Sequence, residues 1–135
     1  MPKNGNATIT PGSYATLQVK QGGILTFSGG IYNFQEWNVG INTTLLFLAP
    51  TEIRIADKLD VRQGSSLGPA PASGLNATNI IIYVLGSNGS SGAVAVTPKA
   101  ANFGNNTHIT ANVYAPNGTL WLRQGTTATG AFLGK

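Results

Sequence analysis

Apolar and polar residues alternate in short bursts along this chain. One burst is written three times, as LQVKQG at 17–22, LDVRQG at 59–64 and LWLRQG at 120–125. Two looser versions, WNVGIN at 37–42 and ANFGNN at 101–106, align with them. Stacked, the five segments have an apolar first column (Leu17, Trp37, Leu59, Ala101, Leu120) and an apolar third column (Val19, Val39, Val61, Phe103, Leu122). The column between is polar until its last member: Gln18, Asn38, Asp60, Asn102, Trp121. In–out–in alternation is the period-two signature of a half-buried strand. The sixth column holds only Gly22, Asn42, Gly64, Asn106 and Gly125. Glycine and asparagine accept a positive φ most readily, so each segment reads as a short strand that ends at a left-handed corner.

The corners at 22, 42, 64, 106 and 125 are separated by 20, 22, 42 and 19 residues. Strands that recur near every 20 residues, without helical periodicity, predict a solenoid. The predicted fold is therefore all-β, a single-stranded parallel β-helix of about five coils with roughly 20 residues each, forming one domain over 1–135. At the parallel-strand spacing of about 4.8 Å, such a stack is a stub of roughly 25 Å. The long interval reads as one coil with two surface insertions, GPAPASGLNA at 68–77 and a loop at 86–92, both rich in Gly, Pro or Ser. NIIIYVL and AVAV supply the strands of that coil.

Composition narrows the function classes. The chain lacks cysteine, so neither disulfides nor thiolate metal sites contribute. A net charge of +4 arises from 8 basic and 4 acidic side chains with no dense basic cluster, which does not make a nucleic-acid footprint. No apolar run is long enough to cross a bilayer, and MPKNGNATIT at the start has no apolar segment resembling a signal peptide core. Six N-x-Ser/Thr sequons, at Asn6, Asn42, Asn76, Asn88, Asn105 and Asn117, would mark an exported protein if glycosylated.

Candidate chemistry is sparse. Three of the four acids, Glu52, Asp57 and Asp60, share one coil, where Arg54 and Lys58 read as their surface partners. A two-carboxylate glycosidase site would need support from the adjacent coils, which offer Gln18 and Asn38. His108 has no second His or Cys nearby for a metal site. No catalytic, cofactor or metal-ligating residue is assigned. The fourth column of the repeat, Lys20, Gly40, Arg62, Gly104 and Arg123, reads as a sparse basic stripe whose glycines leave room for the long side chains. Trp121 stands outward beside Arg123, whereas Trp37 occupies an inward column and reads as core. Trp121, Arg123, Arg62 and Lys20 are the candidate surface contacts, to a partner protein or to carbohydrate. Threonines at 8, 10, 107, 110, 126, 127 and 129 read as outward but form no unbroken ladder.

The last third of the chain contains Gly104-Asn105, Tyr114-Ala115-Pro116-Asn117, Gly125 and the ending Gly130-Ala131-Phe132-Leu133-Gly134-Lys135. In these elements it resembles a group of exported bacterial and archaeal β-solenoid domains found in pilus-associated and cell-surface proteins. SGGIYNF and LFLAPTEIRI look like upstream coils of the same group, and the likeness to bactofilins is more distant. The resemblance implies a surface or filament-associated structural module and carries no catalytic residues. No segment at either end reads as a capping helix, and uncapped solenoid ends present unpaired backbone. The leading expectation is thus self-assembly through the ends into an extracellular filament or adhesin shaft. The alternatives are a glycan-binding module on the Trp121 face and a polysaccharide-cleaving enzyme.

Overall fold

The computed structural model describes residues 3–89, 93, 97 and 99–134. The chain winds through about six turns of about 21 residues, one more than the five coils expected. The first coil carries β1 (Asn6–Ile9) and β2 (Gly12–Val19), and the second β3 (Ile24–Phe27) and β4 (Gly30–Val39). The third carries β5 (Thr44–Phe47), β6 (Thr51–Ile55) and β7 (Leu59–Val61), and the fourth β8 (Ser66–Pro69), β9 (Ile80–Val84) and β10 (Ala101–Phe103). The fifth has β11 (His108–Thr110), β12 (Asn112–Ala115) and β13 (Leu120–Leu122), and the sixth β14 (Thr127–Thr129) and β15 (Phe132–Gly134).

All strand pairings are parallel and link equivalent positions of successive coils. β1, β3, β5, β8, β11 and β14 form one ladder. β4 spans two further ladders, pairing with β6 through Gly30–Phe34 and with β7 through Trp37–Val39. From the third coil onward a bend at Ala56–Lys58 splits these two ladders into separate strands. The repeat columns align residue by residue: Leu17 opposes Trp37, Trp37 opposes Leu59, Leu59 opposes Ala101 and Ala101 opposes Leu120. The long interval is therefore one coil with insertions, since β10 pairs directly with β7.

The insertion boundaries differ from those expected. Gly68 and Pro69 belong to β8, in register with Leu46 and Phe47, so the first insertion runs over 70–79 and ends in a short 3-10 turn at Ala77–Asn79. The local Gly and Pro content could not reveal this, because these residues signal a turn unless a neighbouring strand claims their backbone. The second insertion occupies 85–100 between β9 and β10. Most of the AVAV segment expected as a strand, and residues 90–92 of the expected loop, lie outside the described residues.

The inward columns form the core. Phe27 stacks on Phe47 with ring centroids 4.7 Å apart, and on Trp37 at 5.8 Å. Tyr32 is fully buried and donates its hydroxyl proton to the Ile9 carbonyl of the preceding coil at 3.0 Å. Burial declines at both ends of the stack. Ala7, Ile9 and Leu17 in the first coil, and Leu120, Leu122 and Phe132 in the last two, are only partly buried. Tyr14 lies over Phe34 at 5.4 Å and remains 39% exposed.

Candidate binding face

The corners decide which side chains reach the surface. Gly22, Asn42, Gly64, Asn106 and Gly125 all have positive φ, between 54° and 77°, and Asn4, with φ 56°, is a sixth corner. The six alternate strictly between Asn and Gly. The alternation has a steric cause: a Cβ on Gly22, Gly64 or Gly125 would collide with the side-chain oxygen of Asn4, Asn42 or Asn106 in the coil before it. Each Asn lays its amide over the following Gly, so the structural repeat is two coils, not one.

The same two-coil period governs the fourth column. Lys20, Arg62 and Arg123 belong to the Gly-corner coils, while Gly40 and Gly104 belong to the Asn-corner coils. Side-chain room is not what requires those glycines. A Cβ on Gly40 would stand 3.0 Å from the Val19 carbonyl oxygen, and one on Gly104 would stand 2.5 Å from the Gln63 nitrogen. Both glycines let the backbone press close to the coil below, where their N–H groups donate to the Val19 and Val61 carbonyls at 2.7 Å.

Buried hydroxyls complete the corner. Ser65 donates to the Gly40 carbonyl at 3.0 Å, and Thr107 to the Gly104 carbonyl at 2.7 Å. Thr126 donates to the same Gly104 carbonyl at 3.2 Å. Thr107 is therefore interior, and Thr126 is half-buried, in contrast to the outward placement expected of both.

With the corners fixed, the second and fourth columns share one face. Trp121 is outward and 38% exposed, and the Arg123 guanidinium lies 4.0 Å from its ring centroid. Arg123 Nε donates to Asn102 Oδ1 at 3.1 Å, and Asn102 Nδ2 donates to Asp60 Oδ1 at 2.8 Å. Arg62 approaches the other Asp60 oxygen at 3.8 Å. Three successive coils are thus joined by one polar chain on the outer face.

A groove of about 560 Å³ runs over this network. Its floor includes Asn38, Asp60, Asn102 and Trp121, and Thr97 and Lys99 of the second insertion contribute to its lining. The groove brings together three of the four expected contacts, Trp121, Arg123 and Arg62. Lys20 lies instead in an adjoining depression, which it shares with Gln18, Asn38 and Arg62. Glu36, Lys58 and Lys99 were not among the sequence-based candidates. Glu36 lies where β4 passes from the second ladder to the third, Lys58 lies in the bend before β7, and Lys99 lies in a segment outside the repeat, so no column pointed to them.

The remaining acids pair locally. Glu52 accepts from Arg54 Nε at 2.6 Å, and Asp57 from Lys58 at 3.0 Å. His108 is exposed on β11 between Ser66 and Thr127. Among the described residues no group of three or more His, Cys, Asp or Glu side chains converges on a metal-sized site. Among the described residues, too, no helix is long and apolar enough to cross a membrane. The sequons separate in the same way: Asn88 is buried and fully engaged, whereas Asn6 and Asn105 stand exposed.

The chain matches no family model, no curated protein and no solved structure. What the geometry defines is a class, the parallel β-solenoid of about six turns.

Proposed function

We propose that the protein is a non-enzymatic structural module of a cell surface whose coils stack end to end into an extracellular filament or adhesin shaft. The observation that carries this reading is the phase of the corner ladder. Among the described residues its first member is Asn4 and its last is Gly125. Placing the first coil of one copy on the last coil of another continues the Asn–Gly alternation without a break, and the new Gly–Asn step repeats those already present at Gly22–Asn42 and Gly64–Asn106. The partly buried Ile9, Leu17, Leu120, Leu122 and Phe132 then find apolar neighbours, and the outer edges of β1 and β14, the outermost strands of their ladder among the described residues, find backbone partners. A head-to-tail contact of this kind does not close and builds an open fibre. The likeness of the last third to pilus-associated and cell-surface solenoids supports the same placement, and the local pairing of Glu52 and Asp57 favours a structural over a catalytic role.

Two variants test it. Thr127 N–H is bonded to the Thr107 carbonyl, so the alternation of a parallel ladder turns the Ala128 N–H toward the open edge. Ala128→Pro removes that donor where no internal bond depends on it. Tyr14→Lys places a charge on the opposite end. Sedimentation velocity is expected to show wild-type protein growing with concentration, each variant alone remaining monomeric, and their mixture forming dimers. Wild-type protein that stays monomeric throughout, or either variant dimerising alone, overturns the proposal.

A further inference from the structure

We infer that the groove on the Trp121 face binds a linear acidic polysaccharide lying along the solenoid axis, with a carboxylate on alternate sugars. The inference is independent of end-to-end assembly. The groove is lined by four cations, Lys58, Arg62, Lys99 and Arg123, and two anions, Glu36 and Asp60; with Asp57, which pairs with Lys58 at 3.0 Å, the local balance is four minus three, or +1. Asp60 is already engaged by Asn102 and approached by Arg62, which leaves the field of the groove positive and suited to an anionic ligand.

Arg123 is held in advance of any ligand. Its guanidinium is stacked on Trp121 and its Nε is fixed by Asn102. Beyond Nε, the guanidinium carries four further N–H donors on its two Nη atoms, the fork that receives a carboxylate through two hydrogen bonds. Pre-ordering of this kind lowers the entropy cost of binding. Trp121 offers an amphipathic ring to the apolar face of a sugar. The planar amides and carboxylate of Asn38, Asp60 and Asn102, one per coil, present hydroxyl-binding groups in a row.

The period selects the ligand. Polar groups of the second column, Asn38, Asp60 and Asn102, recur at each coil, about every 4.8 Å, while the cations of the fourth column, Lys20, Arg62 and Arg123, recur at every second coil, about every 9.6 Å, because glycine occupies that position in the coils between. One sugar of an extended chain is about as long as one coil is tall. A polysaccharide with a uronate at every second residue therefore presents hydroxyls and carboxylates in step with the face. Lys20 extends the cation row past Arg62 toward the first coil, which makes a longer oligosaccharide bind better than a short one.

Hyaluronan oligosaccharides of four and ten sugars are suitable probes, with the carboxyl-reduced decamer, a neutral glucan and single-stranded DNA as comparators, titrated by isothermal calorimetry and Trp fluorescence. The decamer is expected to bind and to alter Trp121 emission, and the carboxyl-reduced form to lose at least tenfold in affinity. Arg123→Gln is expected to weaken the decamer at least tenfold and Trp121→Ala comparably, while Arg54→Gln, on another ladder, leaves binding unchanged. Thermal melts establish that each variant is folded. Absence of decamer binding overturns the inference. So does equal binding of the carboxyl-reduced form, loss of affinity in Arg54→Gln matching that in Arg123→Gln, or DNA binding at least as tightly with the same variant profile, which marks an unselective polyanion surface.

Discussion

Gly64 and Asn42 illustrate how much one corner column encodes. The restriction of that column to Gly and Asn was visible in the sequence, and with it the left-handed turn. The pairing was not, because a column read alone shows which residues are allowed and not which neighbour excludes a side chain. Gly64→Ala puts a Cβ at φ 73° and into the Asn42 amide. The conformational part costs about 1–2 kcal/mol, and the collision adds to it. In an Asn42→Gly background the collision is gone, so the Gly64→Ala penalty measured by urea denaturation is expected to shrink toward the conformational part alone. Equal penalties in both backgrounds would contradict the pairing. Trp37 poses a second residue-scale question, since its Nε1 is buried without a partner. An unpaired buried donor costs about 1–3 kcal/mol, and truncating a core Trp to Ala costs about 3–5 kcal/mol. Trp37→Phe, which removes the orphan donor and keeps most of the ring, is expected to cost less than half as much as Trp37→Ala in the same denaturation assay.

At the scale of elements, the strands of the recurring segments were legible because burial imposes a period of two and the coil imposes a period near 20. The insertions were legible as interruptions only. Their paths depend on contacts without sequence periodicity, and Asn88 is the main example. It is buried in the second insertion, accepts from the backbone N–H groups of Ala100 and Thr119 at 2.9 Å each, and donates to Thr119 Oγ1 at 2.8 Å. A residue read as part of a Gly/Ser loop is thus the clamp that holds one wall of the groove against the fifth coil. Asn88→Ala leaves two backbone donors without acceptors, and at about 1–3 kcal/mol for each the variant is expected to lose about 2 kcal/mol or more. Hydrogen exchange at Ala100 and Thr119 should accelerate well beyond that at Val39 or Ile53. Unchanged exchange at those two amides would remove Asn88 from this role. The candidate face divides along the same line: Trp121, Arg123 and Arg62 were read from columns, while Lys99 depends on the path of the insertion.

For the whole molecule, the count of coils was one short because the sixth, with only β14 and β15, holds no copy of the six-residue segment and is too exposed to show strong alternation. The first and last coils also bear the largest claim, that a two-coil repeat running from Asn4 to Gly125 continues from one copy into the next. Cryo-electron microscopy of the concentrated protein addresses this most directly. The account predicts straight rods of variable length whose averaged images carry an axial repeat of about 4.8 Å, with a weaker one at about 9.6 Å from the alternation of Asn and Gly corners. Isolated particles of one fixed length at every concentration, or rods lacking the finer axial repeat, would contradict it.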